Sequence, residues 1–376
     1  MPAFTAQDAP PLNAADSLPI PDSERYSRQI LFAGIGATGQ QLLARAHVAI
    51  VGVGATGAAT ASLLARAGVG RLTLIDRDFV EPSNLQRQML FDENDARASL
   101  PKAEAARRHL ARINSSIRVD AVIADLVPQN APDLLTADIV LDCTDNFETR
   151  YLINDLCVRD HRPWIYAAAV GAYAATMNIL PRGFAQSPSL IPYPLSPTSC
   201  LSCIFPSAPS GNVETCETAG ILSTTVNLAA SLQVTEALKF LTNQPHLMRR
   251  TLISFDLWAN TRSEINTATP REDCEVCGQR LFRALAGDQR PHITLCGRNS
   301  VQIHEHHHPV DLAAMRARLE PHGSVRSNDL LLRFELPPRT DGSAFVITLF
   351  PDGRALIQGT TDVALARTLY ARYIGS

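Results

Sequence analysis

The stretch His47-Val48-Ala49-Ile50-Val51-Gly52-Val53-Gly54-Ala55-Thr56-Gly57 decides the fold, because an apolar run leads straight into a glycine-rich turn. Small helix-forming residues follow over 56–67, and a second apolar run occupies 71–75. A tight turn at the start of a helix presents free N–H groups to a phosphate. The glycines of this turn are Gly52, Gly54 and Gly57. Asp76 follows about twenty residues later, where an acid accepts hydrogen bonds from ribose hydroxyls. The stretch predicts a nucleotide-binding β-α-β unit that suits either a dinucleotide or ATP.

The alternation of strands and helices continues along the chain. Further elements are expected as a helix opening at Pro101, strands near 117–123 and 138–143, a helix from Phe147, and strands near 164–169 and 173–180. This order predicts an α/β, Rossmann-like fold with a mostly parallel sheet and helices on both faces. The uncharged run 164–180 is too short for a membrane span, so two buried strands are expected there.

Composition limits the classes of protein that the chain can be. Its 376 residues are 45% hydrophobic and 19% charged, which is typical of a globular protein. A net charge of −3 argues against a protein that grips nucleic-acid backbones. The first residues lack a secretory signal, so we expect a cytoplasmic protein whose eight cysteines form no disulfide framework.

The chain divides into three predicted regions, with 1–22 as a flexible leader, 23–280 as the main domain and 290–376 as a small α+β domain. Within the main domain, 183–213 carries no charge and six prolines, which indicates a crossover loop. A helix over 219–242 and a hairpin over 251–265 are expected after it. Strand-like runs at 292–303, 330–336 and 345–350, and a helix from Asp362, make up the C-terminal domain.

Two CxxC pairs predict a structural zinc site, because four thiolates at paired spacing satisfy a tetrahedral Zn²⁺. The four expected ligands are Cys200, Cys203, Cys274 and Cys277. Three further thiols lie in apolar runs and are expected in the core, namely Cys143, Cys157 and Cys296. The run 304–308 matches H-E-x-x-H, but Pro309 follows it at once, so we expect a solvated connector.

Polar residues near the strand ends favour ATP over a dinucleotide. Arg87, in the run 84–88, is suited to bidentate contacts with phosphates. Lys102 is one of two lysines in the chain, which hints at a site that needs a compact ammonium; a solvated helix charge is the alternative. Asp145 and Asn146 follow the run 138–143, and both are expected to bind the nucleotide. A carboxylate there suits Mg²⁺, and a helix cap formed by Asp145 is the alternative.

Taken in order, these motifs resemble the ThiF/MoeB/HesA family, bacterial relatives of ubiquitin-activating enzymes. The resemblance covers about 25–279 and rests on Arg25-Tyr26-Ser27-Arg28-Gln29-Ile30, the 52–57 loop, Asp76, Ser83-Asn84-Leu85-Gln86-Arg87-Gln88, Pro101-Lys102 and Asp145-Asn146-Phe147-Glu148-Thr149-Arg150.

The resemblance implies an activity and a set of residue roles. Such enzymes use Mg-ATP to adenylate the C-terminal Gly-Gly carboxylate of a ubiquitin-fold sulfur carrier, and they act as homodimers. Arg28 would reach into the partner subunit, Asp76 would bind the ribose, and Asp145 would hold Mg²⁺. The phosphates would be bound by Asn84, Arg87 and Lys102. Cys216, just before the long helix, is either a covalent acceptor of the carrier or a bystander thiol.

Several alternatives stay open. Segments 295–303 and 353–360 are similar to tails of some thiazole-biosynthesis members, which favours a thiamine pathway over a molybdopterin pathway. A sulfur-donating cysteine desulfurase is a further candidate partner. Rival functions are an enzyme that activates a modified tRNA base, an NAD-dependent oxidoreductase, and a non-catalytic docking scaffold.

Overall fold

The computed structural model describes residues 21–184, 196–207, 219–287, 294–295, 300–303, 310–339, 344–351, 353 and 355–375. Within these residues the chain forms an eight-stranded main sheet and a six-stranded C-terminal sheet. Several expectations fall outside the described residues: nearly all of the leader, most of the crossover loop, the run 304–308, Cys216 and Cys296.

The main sheet confirms the predicted α/β architecture. Its strands are β1 (His47–Val51), β2 (Arg71–Ile75), β3 (Arg118–Val122), β4 (Ile139–Asp142), β5 (Trp164–Val170), β6 (Tyr173–Ile179), β7 (Thr251–Asp256) and β8 (Thr261–Asn266). They lie in the order β3-β2-β1-β4-β5-β6-β7-β8. The first five strands in this order, from β3 through β2, β1 and β4 to β5, are parallel. Strands β6, β7 and β8 extend the sheet by antiparallel pairing.

Helices cover both faces of the main sheet. They are α1 (Asp22–Arg25), α2 (Ser27–Ile30), α3 (Gly36–Arg45), α4 (Ala55–Ala67), α5 (Glu93–Arg97), α6 (Lys102–Ile113), α7 (Ala131–Leu134), α8 (Phe147–Arg159), α9 (Leu201–Ile204), α10 (Ser223–Leu241) and α11 (Arg283–Ala286). Alternate residues of β1 enter different cores, because successive side chains of a strand point to opposite faces. Val48 and Ile50 pack with α4, α6 and α10, whereas Ala49 and Val51 pack with α8.

The structure corrects the start of the long helix. Helix α10 begins at Ser223 rather than at 219. Gly220 has a φ of +71°, which a helix does not accommodate. Its carbonyl accepts the N–H of Gly171, and the N–H of Leu222 donates to the Gly171 carbonyl. These residues are therefore used in pairing with the β5–β6 turn.

The run 164–180 forms two buried strands, β5 and β6, as predicted. In the part of the chain that is described, no helix combines the length and the apolar character that crossing a bilayer requires.

The C-terminal sheet is antiparallel in every strand pair that is described. Its strands are β9 (Thr294–Leu295), β10 (Ser300–Ile303), β11 (Ser324–Ser327), β12 (Leu332–Glu335), β13 (Val346–Leu349) and β14 (Ala355–Gln358). Two helices accompany it, α12 (Leu312–Leu319) and α13 (Val363–Tyr373), and Asp311 and Asp362 cap their amino termini. The predicted helix from Asp362 is thus present, whereas β11 and β14 were not anticipated. The domain boundaries at 280 and 290 stay a prediction.

Candidate functional site

The glycine-rich turn joins β1 to α4. Gly52 has a φ of +84°, and a Cβ there would lie 2.8 Å from the Cys143 carbonyl oxygen. A Cβ on Gly57 would lie 1.9 Å from the Gly52 carbonyl oxygen, so both positions require glycine. Gly54 is the N-cap of α4 and provides no side chain to cap the helix. The first N–H groups of α4 are therefore available to an anion such as a phosphate.

The turn lies at the topological switch point of the sheet. Strand β1 pairs with β2 on one side and with β4 on the other, so the connections that leave β1 and β4 diverge. In open α/β sheets, ligands bind at the carboxyl ends of the strands at such a point. The segment after β4 carries Asp145, so the glycine turn and this carboxylate are at the same edge.

Asp145 and Asn146 have different surroundings at the start of α8. The Asn146 side-chain oxygen accepts the Thr149 N–H at 2.8 Å and is the N-cap of the helix. Asp145 is exposed and does not cap the helix. The cap that sequence reasoning offered as the alternative for Asp145 therefore belongs to its neighbour.

Asp76, at the end of β2, braces the glycine turn. Its Oδ2 accepts the Val53 N–H at 2.6 Å, and its Oδ1 accepts the Asp78 N–H at 2.7 Å. Burial raises the pKa of Asp76, and the positive charge of Lys102 opposes that rise. Each carboxylate oxygen retains a lone pair beyond these bonds, so the group still has the capacity to accept ribose hydroxyls.

Lys102 is buried, with 2% of its surface exposed. The Lys102 Nζ lies 3.3 Å from the Asp78 carboxylate, and the Lys102 backbone N–H donates to the Asp78 backbone carbonyl at 2.8 Å. A buried ammonium requires such a counter-charge. The alternative of a solvated helix charge is therefore wrong, and Asp78 is a site residue that sequence reasoning missed.

Asn84 and Arg87 lie in the segment between β2 and α5. Asn84 is 3% exposed and ends a 3₁₀ turn over Pro82–Asn84, where its Oδ1 accepts the Glu81 N–H at 3.0 Å. Arg87 is half-buried, and its Nη1 donates to the Ser83 carbonyl at 2.9 Å. A guanidinium has five N–H donors, so this bond leaves donors for a phosphate.

A buried ion pair lies at the end of β4, close to Asp145, and was also not predicted from the sequence. Arg150 Nε lies 3.2 Å from the Asp142 carboxylate, at the end of β4. Its guanidinium also lies 5.0 Å from the centre of the Tyr166 ring. Burial alone would lower the pKa of Arg150, but the neighbouring Tyr166, Asp142 and Asp145 raise it. Arg150 therefore stays charged and stabilises the end of β4 through its ion pair with Asp142. In the sequence, the one indication of its importance was its position in the motif 145–150.

Arg28 is exposed on α2. The residues around it are anchored, since the Tyr26 hydroxyl accepts from Asn114 Nδ2 at 2.8 Å and Gln29 Nε2 donates to the Ala67 carbonyl at 2.8 Å. Leu31 and Phe32, which follow, are 74% and 66% exposed. No hydrogen bond or ion pair among the described residues joins Arg28 to the other site candidates within this one chain.

The four CxxC thiols converge, with all four sulfurs within 4.8 Å of one another. Cys200 Sγ lies 3.6 Å from Cys274 Sγ, and Cys203 Sγ lies 3.4 Å from Cys277 Sγ. Tetrahedral zinc with Zn–S bonds of about 2.3 Å places its sulfurs about 3.8 Å apart, so the donor set and its spacing fit a zinc ion. By contrast, Cys143 and Cys157 are buried core residues, as predicted, and burial raises the pKa of both thiols.

Comparisons with known proteins agree with this geometry. The ThiF family model matches residues 26–276. The chain is 42% identical over 356 residues to the sulfur carrier protein ThiS adenylyltransferase of Bacillus subtilis, covering 93% of this chain and 99% of that protein. It is 33% identical to the SAMP-activating enzyme E1 of Haloferax volcanii, over 70% of this chain and 92% of that protein. The structure of E. coli MccB with ATP is similar, with a TM-score of 0.56, 26% identity, and coverage of 69% of this chain and 76% of that one. The chain therefore belongs to the ThiF family.

Proposed function

We propose that this chain is an ATP-dependent adenylyltransferase that activates the C-terminal Gly-Gly carboxylate of a small ubiquitin-fold sulfur-carrier protein. The observation that carries the proposal is the meeting of the glycine turn, the Asp76 carboxylate and the buried Lys102–Asp78 pair at one sheet edge, in a member of this family. The Bacillus subtilis relative, whose name states this activity on ThiS, supports the thiamine pathway. A molybdopterin-type carrier is the second candidate.

The reaction needs positioning and positive charge more than covalent chemistry. An oxygen of the carrier carboxylate attacks the α-phosphorus, the bond from that phosphorus to the bridging oxygen breaks, and pyrophosphate leaves with the electron pair. Asp76 would hold the ribose. The phosphate oxygens would be stabilised by the α4 amino terminus, Asn84, Arg87 and Lys102. Magnesium, held by Asp145, supplies further positive charge when bound.

Arg28 would complete the site of a second copy of this chain. The exposed Leu31 and Phe32 beside it support a homodimer through this segment, because a second copy would cover both apolar side chains. Arg28 would then stand at the interface as an additional cation for the partner's phosphates.

We also propose that Cys216 forms a covalent intermediate with the carrier. The Cys216 thiolate would attack the acyl-adenylate with release of AMP, giving a thioester. Alternatively, Cys216 would first take sulfane sulfur from the persulfide of a cysteine desulfurase, releasing that enzyme's thiol, and the resulting Cys216 persulfide would attack the acyl-adenylate with release of AMP, giving an acyl-disulfide. Mass spectrometry of the enzyme–carrier adduct, with the native chain and with Cys216→Ala, tests this. An adduct that persists in the variant would assign Cys216 as a bystander.

The zinc ion would be structural, because four thiolates leave no open position on the metal. A cytoplasmic location suits four zinc thiolates and a working Cys216, since cytoplasmic thiols stay reduced.

An NAD-dependent oxidoreductase and a docking scaffold are the rival functions. The buried Lys102 and the Arg87 guanidinium favour a triphosphate, because a hydride transfer between carbon atoms has no need of these cations. Protection of the chain from thermal unfolding by Mg-ATP, and not by NAD, would support the proposal. Carrier-stimulated ATP–pyrophosphate exchange separates the enzyme from a scaffold.

A further inference from the structure

The C-terminal sheet packs against the segment that follows β2. Phe79 of this segment is 1% exposed and forms an apolar cluster with Leu331 and Phe350, which flank strands of the C-terminal sheet. Asn328 Nδ2 also donates to the Ala98 carbonyl at 3.3 Å. The segment after β2 and the C-terminal sheet therefore share a small apolar core at this point.

Arg333 of β12 makes the polar part of this contact. Its guanidinium carbon lies 4.7 Å from the centre of the Phe79 ring, and its Nη1 lies 3.6 Å from the Glu81 carboxylate. The two charged side chains are 23% and 26% exposed, so water screens their attraction only partly. A cleft of about 700 Å³ lies beside the contact, between β11–β12 and the segment that leads through α5. Arg333 therefore lies in a local contact between the C-terminal sheet and the segment after β2, with the cleft on one side of it.

Glu81 links Arg333 to the nucleotide site. The Asn84 N–H donates to the Glu81 backbone carbonyl at 2.9 Å, and the Asn84 side chain accepts the Glu81 N–H at 3.0 Å, so these two residues close the 3₁₀ turn in a capping-box arrangement. The Asn84 carbonyl then accepts the N–H groups of Arg87 and Gln88 at 3.1 and 2.9 Å. The orientation of Glu81 therefore determines the backbone position from which Asn84 and Arg87 project.

We propose that Arg333 is a positioning residue for the nucleotide site: through Phe79 and Glu81 it fixes the turn that presents Asn84 and Arg87 to the phosphates. The assignment of those two residues to the phosphates rests on the proposed function. The C-terminal sheet is then part of the adenylating machinery and not an appended module.

A matched control lies directly opposite Arg333. Arg326 of β11 pairs in register with it across the antiparallel strands and lines the same cleft. Its side chain is exposed, and it forms no ion pair with any described residue. Arg326→Ala removes the same charge from the same cleft without touching the turn.

Steady-state pyrophosphate exchange should separate the two arginines. We expect Arg333→Ala to raise the KM for ATP about fivefold, which corresponds to about 1 kcal/mol, with kcat and the carrier KM changed less than about twofold. Arg333→Lys keeps the charge and should fall within about twofold of the native KM, as should Arg326→Ala. Glu81→Gln keeps the shape of the side chain and loses its charge, so adding Arg333→Ala to it should raise the KM less than Arg333→Ala does in the native chain, because only the contact with Phe79 is then lost.

Hydrogen exchange of the backbone amides of 79–88, measured without nucleotide, provides a readout that is independent of activity. Faster exchange in Arg333→Ala than in Arg326→Ala supports the proposal. Native amide protection with a native KM, or equal effects of the two alanine variants, would overturn it. If the unmodified enzyme showed no carrier-stimulated exchange, the proposed function would fail, and the amide exchange alone would decide the role of Arg333.

Discussion

Asp145 and Asn146 are adjacent in the sequence and were both predicted to bind the nucleotide. The structure assigns the capping bond to Asn146, whose oxygen accepts the Thr149 N–H. The exposed Asp145 carboxylate stands at the carboxyl edge of the sheet, in the electrostatic range of Arg150. We therefore expect Asp145 to bind the Mg-ATP ligand, whereas Asn146 caps α8.

Asp145→Ala should abolish carrier-stimulated ATP–pyrophosphate exchange while leaving the folded chain intact, because no described hydrogen bond depends on its carboxylate. Circular dichroism and the Tm provide the check on folding. Asp133→Ala, which removes an exposed carboxylate from α7, is the matched control and should retain native exchange. Near-native exchange in Asp145→Ala would remove this residue from the site.

The sequence predicted those site residues that belong to a local pattern. Gly52 and Gly57 were recognisable because the turn requires glycine at both positions, with Cβ clearances of 2.8 and 1.9 Å to carbonyl oxygens. The Lys102–Asp78 pair was not, because the two residues lie on different elements and only the folded chain brings them to 3.3 Å. The Arg333–Glu81 pair joins a strand of the C-terminal sheet to the segment after β2, more than 250 residues earlier, so no local sequence pattern indicates it.

At the level of elements, the four thiols bring α9, which lies within the predicted crossover loop 183–213, next to the segment before α11. Cys203 also accepts the Arg271 N–H at 3.5 Å, as thiolates in metal sites commonly do. Because the ligands come from segments about seventy residues apart, metal binding closes a long loop. Zinc should therefore contribute directly to the folding free energy.

Cys277→Ser should lose stoichiometric zinc and lower the Tm by about 10 °C, since one thiolate ligand is missing. Metal analysis of freshly purified, reduced protein and a thermal melt measure both effects. Glu272→Ala, which removes an exposed side chain two residues before the ligand Cys274, should retain zinc and a near-native Tm. Equal zinc content in Cys277→Ser and the native chain would contradict the assignment.

His47 at the start of β1 gives the folded chain a dependence on pH. Burial lowers its pKa from the ordinary value of 6.5, with the charge of Arg71 acting in the same direction. The unfolded chain therefore binds more protons there, and the free energy of unfolding should fall as the pH drops through that value. His47→Gln, which keeps a polar partner for Thr73, should flatten this part of the profile. Urea unfolding from neutral pH to about 5.5 measures the slope; an identical slope in the variant would exclude His47 as its source.

At the scale of the whole molecule, we expect each active site to depend on residues from two copies of the chain, and on contacts from both the main domain and the C-terminal sheet. The match to the Bacillus subtilis relative covers 93% of this chain, so it includes most of the residues beyond 287 as well as the main sheet. This extent agrees with the contact that Arg333 makes near the nucleotide site. It would be unexpected if the C-terminal sheet were a separate attachment.

The proposed homodimer predicts complementation between two inactive variants. Arg28→Ala and Asp145→Ala should each lack exchange activity alone. After unfolding, mixing and refolding, mixed dimers would contain one site with both residues intact, so activity should return to about a quarter of the native value. Activity that stays absent, while light scattering shows dimers, would place Arg28 outside the neighbouring site.

ATP–pyrophosphate exchange measures directly whether the chain adenylates a carrier protein. Small proteins with a C-terminal Gly-Gly from the same genome would each be added to the purified enzyme with Mg-ATP and labelled pyrophosphate. We expect label in ATP only with an intact carrier, and none with a carrier that lacks its last glycine. Exchange that proceeds without any carrier, or that no Gly-Gly protein stimulates although Mg-ATP binds, would contradict it.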